Sequence, residues 1–431
     1  MGVRAGYKQT EVGVIPEDWD KITLENISSF ITKGTTPTTY GFKWESHGVL
    51  FLRSECVSEN GLDLNQSMYI SKEAHRVLKR SQVKDGDILI TITGNVGRVL
   101  LIKDVGTANL NQHIARVRIV SSEIDARYIY HYLSQHSVRD YYESITTGQA
   151  YPQISLAQVR NTLVPLPPKA EQEAIAEALS DADGLIESLV QLIAKKRQLK
   201  QGTMQELLTG KRRLPGFEVK AGYKQTEVGV IPEDWEVGTL SKFADFLSSK
   251  RIFEHDYVST GIPFLRGKEV TQLIENKSLS ESLYISEAKY NKIKTKYGVP
   301  QKGDILITAV GTLGNVYTVP NNNPFYFKDG NLIWLKSISG IDINYFAIQI
   351  RNNRQTIIDN AIGSSQKALT IIVLKATVIS FPPTKAEQKA IASIFSDMDA
   401  EIEQLEQKLT KARKMKQGMM QELLTGRIRL V

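Results

Sequence analysis

Residues 5–19, AGYKQTEVGVIPEDW, recur without a single change at 221–235. A second block, 169–214, recurs as 385–430 at the same offset, with 28 of 46 positions identical. Two repeats of equal length therefore account for nearly all of the 431-residue chain. A period of half the chain is not that of a solenoid, whose repeats span roughly 20–50 residues. The duplication predicts two whole modules in tandem.

The region between these constant blocks differs strongly between the two repeats. The offset between shared islands varies slightly from one island to the next, which is typical of loops lengthened or shortened around common strands. Each repeat thus combines a near-constant frame with a variable body. The islands lie at 49–53 and 262–266 (VLFLR and IPFLR), at 86–97 and 303–314 (GDILIT-x-x-G-x-x-G), and at 148–168 and 363–383.

Composition indicates an ordinary globular protein, with 41% hydrophobic and 23% charged residues. The length predicts two to four domains at roughly 150 residues each. No apolar run reaches the roughly 18 residues of a membrane span, and the first residues lack the apolar core of a signal peptide. A single cysteine, Cys56, excludes an intramolecular disulfide and a thiolate metal cluster. We therefore expect a cytoplasmic protein.

The charge balance favours a polyanionic partner. Lysine and arginine number 54 against 47 acidic residues, which gives a net charge of +7 and a pI near 9.1. Each contact between a cation and a DNA phosphate gains free energy from counterion release. The excess is small, so its position along the chain carries more information than its sum.

The constant block after Pro168 has the apolar spacing of a coiled coil. It predicts a helix from Lys169 to Thr209, 41 residues or about 60 Å long, ended by a glycine cap at Gly210, with Gly426 as the cap of its copy. The two copies are expected to pack on each other as an antiparallel pair. The alternative is that the apolar seam is ordinary core and implies no partner helix. The seam residues are Ile175, Leu179, Ala182, Ile186, Leu189 and Ile193, and in the copy Ile391, Phe395, Met398, Ile402, Leu405 and Leu409.

Each variable body mixes short β-rich runs with helix, which predicts an α+β fold. We expect a first recognition domain over 1–168, a long helix over 169–214, a second recognition domain over 215–384 and a second long helix over 385–431. One helix is predicted over 128–142. The predicted strands are 49–52, 87–92 and 115–120 in the first body, and 263–265, 304–308 and 332–336 in the second.

Two polar loops at corresponding places in the bodies are candidate DNA contacts. The first, 31–40, reads ITKGTTPTTY, and the second, 248–255, reads SSKRIFEH. Hydroxyl and amide groups beside lysine or arginine are the groups that bind phosphates and base edges. The two loops differ in sequence and in charge. An ordinary solvated loop is the alternative interpretation of either one.

The closing run KQG-x-MQELLTG is identical in both repeats apart from one position. Packing within the chain does not require solvent-facing polar residues to match. We therefore predict two equivalent docking surfaces and hence two copies of one partner. The predicted docking residues are Gln205, Glu206 and Leu207 in the first repeat, and Gln421, Glu422 and Leu423 in the second.

No catalytic or metal-binding motif is found in the sequence. The P-loop pattern G-x-x-x-x-G-K-[ST] is absent, and so is the [Asn/Asp]-Pro-Pro-[Tyr/Phe] tetrad of amino-methyltransferases. The runs GNVG at 94–97 and GTLG at 311–314 are interpreted as turns rather than cofactor loops. The six histidines show no metal-ligand spacing. The sequence thus predicts a chain without a catalytic centre and without a bound metal or cofactor.

The motifs together resemble those of type I restriction–modification specificity subunits. The matching features are the G-x-IP-x-x-W run at 13–19 and 229–235, the GDILIT island, the prolines before the KAEQ helix start, and the closing QELLTG. They occur in this order, twice, and cover essentially the whole chain.

The resemblance implies a non-catalytic subunit that binds double-stranded DNA at a bipartite site, each recognition domain reading one half. The two long helices would hold the domains apart and dock two methyltransferase subunits, which carry S-adenosylmethionine and methylate adenine N6. Restriction subunits, which use ATP and Mg²⁺, would join the complex. The alternatives are a protein–protein scaffold and a nuclease or methyltransferase with degenerate motifs.

The predicted DNA contacts combine these loops with polar residues of the shared islands. The second body is poorer in motifs, so fewer of its residues are named. In the first body they are Lys33, Thr36, Thr38 and Tyr40, followed by Arg98, Gln149 and Tyr151. In the second they are Lys250, Arg251, Gln366 and Lys367.

Overall fold

A computed structural model of the protein describes residues 4–58, 61–148, 150–217, 222–279, 282–363 and 367–430. The chain forms two compact units. The first unit comprises residues 1–191 and 406–431, and the second unit comprises residues 192–405. The second half of each long helix therefore belongs to a different unit from its first half. The expected α+β class is confirmed, with mixed strands and helices in both units.

The first unit contains two four-stranded sheets. One has the strand order β11-β10-β13-β4 and is antiparallel, and the other has the order β8-β5-β12-β9, in which β12 runs parallel to β5. Two-stranded pairs join β1 to β2, β3 to β14 and β6 to β7. The strands are β1 (Tyr7–Thr10), β2 (Gly13–Pro16), β3 (Asp20–Thr23), β4 (Ser28–Lys33), β5 (Val49–Leu52), β6 (Val57–Ser58), β7 (Gly61–Leu62), β8 (Met68–Ile70), β9 (Gln82–Val83), β10 (Ile88–Thr91), β11 (Val99–Leu101), β12 (Ala108–Leu110), β13 (Ile114–Ile119) and β14 (Leu163–Leu166); the helices are α1 (Leu24–Ile27), α2 (Lys72–Val77), α3 (Ala126–Leu133), α4 (His136–Ser144), α5 (Leu156–Arg160) and the start of α6 (Lys169–Leu207).

The second unit repeats this plan. Its sheets have the orders β18-β25-β22-β23 and β19-β21-β20-β24, and β24 runs parallel to β20. Two-stranded pairs join β15 to β16 and β17 to β26. The strands are β15 (Tyr223–Thr226), β16 (Gly229–Pro232), β17 (Glu236–Thr239), β18 (Asp245–Leu247), β19 (Tyr257–Val258), β20 (Ile262–Leu265), β21 (Leu283–Ile285), β22 (Ile305–Thr308), β23 (Val316–Thr318), β24 (Tyr326–Phe327), β25 (Leu332–Lys336) and β26 (Val378–Phe381); the helices are α7 (Gly267–Ile274), α8 (Glu287–Tyr297), α9 (Ile343–Asn352), α10 (Arg354–Asp359), α11 (Ile371–Ala376) and the start of α12 (Lys385–Leu423).

The shared GDILIT island forms an inner strand of the antiparallel four-stranded sheet in each unit. In β10, Ile88 and Ile90 face a core cluster that contains Trp19 and Tyr128, whereas Leu89 faces a separate cluster beside the second sheet. The strand is apolar without alternation because both of its faces are covered. In β22 the residues at the same places, Ile305 to Ile307, divide between two clusters in the same way.

The long helices α6 and α12 each span 39 residues and end at Leu207 and Leu423, two residues before the predicted end. The predicted glycine caps are confirmed, since Gly210 and Gly426 adopt φ values of 70° and 67°. After Gly426 the N–H of Arg427 donates to the carbonyl oxygen of Glu422, so the last helical turn is closed by a glycine in the left-handed conformation.

The two long helices pack together in antiparallel directions within each unit. In the second unit Lys196 of α6 pairs with Glu401 of α12 at 2.6 Å, and Lys200 of α6 pairs with Asp399 of α12. The residue numbers along α12 therefore fall as those along α6 rise. In the first unit Asp183 pairs with Lys416. The antiparallel coiled coil predicted from the heptads is therefore confirmed.

The predicted single helix over 128–142 is wrong. The chain forms α3 and α4 instead, separated at Ser134 and Gln135. The hydroxyl of Ser134 donates to the carbonyl oxygen of Tyr130, and Gln135 is extended, which ends the first helix. The predicted strands are found with bounds that differ by at most one residue, and the 94–97 and 311–314 runs are turns, as expected. No helix of the described residues is long and apolar enough to cross a membrane.

Candidate nucleic-acid interface

In the first unit, the chain leaves β4 at Lys33 and forms the first predicted contact loop. Gly34 passes so close to β12 that a Cβ there would overlap with the carbonyl oxygen of Leu110, so only glycine fits. The next residues form a 3₁₀ turn, Pro37–Tyr40, which Gly41 closes with a φ of 80°. Lys33 is exposed, and Tyr40 is 57% exposed. Thr38, inside the turn, is exposed as well.

A side-chain hydrogen bond fixes this loop to the strand below it. The hydroxyl of Thr36 donates to Oε1 of Gln112 over 2.6 Å. Gln112 lies just after β12, and its amide nitrogen lies 2.9 Å from Nε2 of His113. The loop therefore presents hydroxyl, amide and imidazole groups together, without a charged pair.

The corresponding loop of the second unit is held by a backbone hydrogen bond and an ion pair. Beyond β18, the backbone N–H of Lys250 donates to the hydroxyl of Tyr326 over 2.6 Å. Nε of Arg251 donates to Oδ2 of Asp329 over 2.8 Å. Ile252 is buried and anchors the loop, whereas Phe253 next to it is 54% exposed. This loop presents two cations and an aromatic ring.

Gln112 and Asp329 occupy the same place in the two units. The residue before each one donates its backbone N–H to the last residue of the parallel neighbouring strand: Asn111 to Leu52, and Lys328 to Leu265. In both units the predicted contact loop follows the edge strand of the first sheet, β4 or β18. A side chain of that loop is hydrogen-bonded to the second residue after β12 or β24. The scaffold is the same, and the chemistry that it displays differs.

The other predicted contacts are separate from these loops. Arg98 is half-buried and donates to the carbonyl oxygen of Val57 over 3.3 Å, so part of its side chain serves the fold. Tyr151 is 73% exposed, and Lys367 is exposed. Among the described residues, no hydrogen bond joins Arg98 or Tyr151 to 33–40. Gln149 and Gln366 lie outside the described residues.

The predicted docking residues divide into two groups. Gln205, Glu206 and Gln421 are exposed, and Glu422 is half-buried. In contrast, Leu207 and Leu423 are only 3% and 5% exposed and belong to the cores of the second and first units. A partner that approaches the two helix ends would meet the polar residues and not these leucines.

Beyond each helix end, an arginine completes a cluster that sequence reasoning missed. We define the first clasp as Asp18, Trp19, Glu171 and Arg429. Arg429 donates to Glu171 over 2.6 and 2.7 Å and to Asp18 over 3.0 and 2.8 Å, and Nε1 of Trp19 donates to Glu171 over 3.0 Å. The hydrogen bond to Glu171, followed by that to Asp18, raises the pKa of Arg429 above its usual value.

The second clasp consists of Asp234, Trp235, Glu387 and Arg213. Arg213 donates to Glu387 over 2.7 and 3.0 Å and to Asp234 over 2.8 and 3.1 Å. Each clasp joins the constant EDW run, the start of one long helix and the residues after the end of the other. The repeated blocks therefore form one structural device in each unit.

The sequence profile of the type I restriction modification DNA specificity domain matches residues 16–196 and again residues 232–412. The two matches are offset from each other by the same distance as the two identical blocks at 5–19 and 221–235. The chain belongs to the type I restriction–modification specificity subunits. The resemblance is confirmed, and with it a subunit that has two tandem recognition domains. Specificity subunits are the non-catalytic DNA-recognition components of these systems.

Two similar chains from Methanocaldococcus jannaschii extend over nearly the full length. One carries the provisional name of MjaX type I restriction enzyme specificity subunit and is 28% identical, over 98% of this chain and 97% of its own. The other is the MjaVIII specificity subunit, 25% identical over 96% of this chain and 94% of its own.

Two solved structures share the fold. The S subunit of a type I system from M. genitalium superposes with a TM-score of 0.61 at 15% identity and covers 98% of both chains. A second structure, from work on complex assembly and conformational transition of the type I system, has a TM-score of 0.53 at 15% identity and covers 96% of this chain and 99% of its own.

Sequence reasoning missed Gln112 and Asp329 in this specificity subunit because their partners lie 76 and 78 residues earlier. No local pattern links residues so far apart. The clasp arginines had a usable signal, since the shared EDW, KAEQ and final arginine positions recur together in both repeats. Among the described residues, no group of three or more His, Cys, Asp or Glu could hold a metal ion.

Proposed function

We propose that this specificity subunit reads a bipartite site in double-stranded DNA, with each unit reading one half. The support is the comparison of the two loops on one scaffold. Thr36 with Gln112 offers neutral hydrogen-bonding groups, whereas Arg251 with Asp329 offers an oriented guanidinium. Glutamine side chains suit adenine and arginine side chains suit guanine in the major groove. Two recognition domains with different contact loops fit a DNA target that has two unlike half-sites, separated by base pairs that neither domain contacts.

The proposal includes two methyltransferase subunits that dock on the chain. The exposed Gln205 and Glu206 in the second unit correspond to Gln421 and Glu422 in the first. Equal surfaces favour two copies of one partner. S-adenosylmethionine would then be bound by the methyltransferase subunits, which methylate adenine N6, and ATP and Mg²⁺ by the restriction subunits that join the complex.

The test is to co-express the chain with the methyltransferase subunit of its own type I system and to map N6-methyladenine across the host genome. The expected result is a single two-part motif with a fixed gap. Absence of new methylation, from a complex that purifies intact, would instead favour a scaffold without DNA recognition.

A chimaera tests which recognition domain reads which half-site. Replacing residues 20–150 with the same region of another specificity subunit should change one half-site and leave the other half-site and the gap unchanged. A change in both half-sites would contradict the two-headed proposal.

A further inference from the structure

The helix that follows β8 in the first unit carries a basic surface outside the predicted contact loop. Ser71 caps α2 by accepting the N–H of Ala74 over 3.0 Å, and Ala74 and Leu78 are buried in a cluster with Ile70. The opposite surface holds the cations of α2 and the following 3₁₀ turn, Lys79–Ser81. Near the C-terminal end of the helix they are Arg76, Lys79 and Arg80, all exposed, and none forms an ion pair with a described residue.

The second unit has a basic helix at the same place in its topology. α8 follows β21, which pairs with β20 just as β8 pairs with β5. Ser286 caps it, and Tyr290 and Ile293 are buried below it. Its outer surface holds Lys292, Lys294 and Lys296, which are exposed and make no ion pair with any residue that the structure describes.

An aromatic ring joins each basic helix to the strand or loop of the predicted contact site. In the second unit Nζ of Lys250 lies 5.2 Å from the ring centroid of Tyr297, the last residue of α8, and Nζ of Lys296 lies 5.4 Å from it. In the first unit the guanidinium of Arg80 lies 5.9 Å from the ring of Phe30, which is 43% exposed on β4. The basic surface is thus continuous with the loop that leaves β4 or β18.

The two surfaces agree in charge although their sequences differ. The stretch HRVLKR in one unit corresponds to NKIKTK in the other, and neither surface carries an amide that suits a base edge apart from Asn291. Exposed cations that have no acidic partner among the described residues attract an anion, and each contact with a phosphate gains from counterion release. The two recognition domains are expected to read different bases. The part of the DNA that both would contact in the same way is the phosphate backbone.

We infer that Arg76, Lys79 and Arg80 in the first unit, and Lys292, Lys294 and Lys296 in the second, bind the DNA backbone beside the half-site that the same unit reads. The inference rests on the proposed function. These surfaces set affinity and salt dependence, and they do not choose bases. In each unit the two sets of DNA contacts then lie on one continuous face. The loop contacts the bases, and the basic helix contacts the phosphates.

The experiment compares matched double variants in the complete complex with methyltransferase subunits. In the first unit, Lys79→Gln with Arg80→Gln is compared with Lys103→Gln and Lys169→Gln, which remove the same charge after β11, the edge strand opposite β4, and at the first residue of α6. In the second unit, Lys292→Gln with Lys294→Gln is compared with Lys302→Gln and Lys375→Gln. All eight side chains are exposed. Binding to a labelled duplex that contains the mapped site is measured over a series of salt concentrations.

Each helix variant should lower the salt slope by about 1.8, or about 0.9 per lost phosphate contact, and weaken binding at least about tenfold at moderate salt. The methylated motif should stay the same, and the control variants should bind as the wild type does. A helix variant with wild-type slope and affinity, or with a changed motif, would overturn the inference while leaving the proposed function intact. Failure of the proposed function is recognised separately, by a wild-type complex that neither methylates nor binds a defined site.

Discussion

The guanidinium of Arg429 donates two hydrogen bonds, of 2.6 and 2.7 Å, to the carboxylate of Glu171, a residue 258 positions earlier in the chain. Glu171 is fully buried and also accepts Nε1 of Trp19. The residues after the end of α12 are thereby fixed to the start of α6 and to the constant EDW run. In the second unit Arg213 occupies the same place against Glu387. The clasps explain why the repeated blocks are the parts of the chain that are shared.

The second clasp should contribute more stability than the first. The side chains of Arg213 and Glu387 are 6% and 2% exposed, whereas that of Arg429 is 33% exposed. Removing one partner of a buried ion pair costs about 3–5 kcal/mol, because the other charge is left buried and unpaired. Loss of Arg213 would leave both Glu387 and Asp234 in that state, because the Asp234 side chain is only 4% exposed. In the first clasp the Asp18 side chain is 54% exposed, and Glu171 keeps the hydrogen bond from Trp19. Arg213→Met should therefore lower the unfolding midpoint of the chain more than Arg429→Met.

Urea unfolding, followed by tryptophan fluorescence, measures this difference. Arg212→Met is the matched control, because the side chain of Arg212 is 72% exposed and lies 3.6 Å from Glu206, so its loss should be nearly neutral. Equal midpoints for Arg213→Met and Arg212→Met would contradict the role given to the second clasp.

Two glycines at the end of α12 should respond to alanine in opposite directions. Gly418 lies inside the helix with open space around it, so Gly418→Ala should stabilise the chain by about 1 kcal/mol through helix propensity. Gly426 has a φ of 67°, and a Cβ there would overlap with the ring of Pro16. Gly426→Ala should destabilise the chain by at least about 1–2 kcal/mol. Thermal unfolding of both variants checks the signs, and two shifts in the same direction would disprove the argument.

The frame of this fold was readable from the sequence because its signals are local or repeated. The heptad seam predicts α6 and α12, the glycines predict their caps, and the apolar GDILIT run predicts a strand. The break between α3 and α4 was missed, since it depends on one serine side chain, at Ser134, that bonds to the preceding turn.

The site was predictable only in part. The loops at 31–40 and 248–255 were proposed from composition, but their partners Gln112 and Asp329 are brought there by β12 and β24, whose parallel pairing has no sequence signature. The predicted docking residues Leu207 and Leu423 were chosen because they recur, and core packing preserves a repeat as effectively as an interface does.

The first unit should lose stability in mildly acidic solution through His131. Burial, assisted by the nearby charge of Lys416, lowers the pKa of His131 to about 3. The unfolded chain binds a proton near pH 6.5 and the folded chain does not. Stability is therefore complete above about pH 6.5 and falls by about 1.4 kcal/mol per pH unit below it, until the folded pKa is reached.

Unfolding midpoints of the wild type and His131→Gln, measured from mildly acidic to neutral pH, test this dependence. The difference between the two proteins should shrink as the pH falls, because the variant lacks the titrating group. His136→Gln removes an exposed histidine from the same region and should follow the wild type at every pH. A constant difference across this range would show that His131 does not cause the loss.

Arg251 should determine part of one half-site, with Asp329 orienting it. Its side chain is 69% exposed, and its bond to Asp329 runs through Nε. Arg251→Gln should weaken DNA binding by about 1–3 kcal/mol and relax or change the base at one position of that half-site. Asp329→Asn should produce a smaller loss in the same half-site, because the guanidinium is then less well fixed. Lys242→Gln, which removes a cation paired with Glu236, serves as the control.

Mapping methylated adenines for each complex reports both half-sites at once. The expected outcome, for the Arg251 and Asp329 variants alike, is a change confined to one half-site. Reduced affinity with an unaltered motif would instead make Arg251 a backbone contact, and changes in both halves would contradict the assignment of this loop to a single half-site.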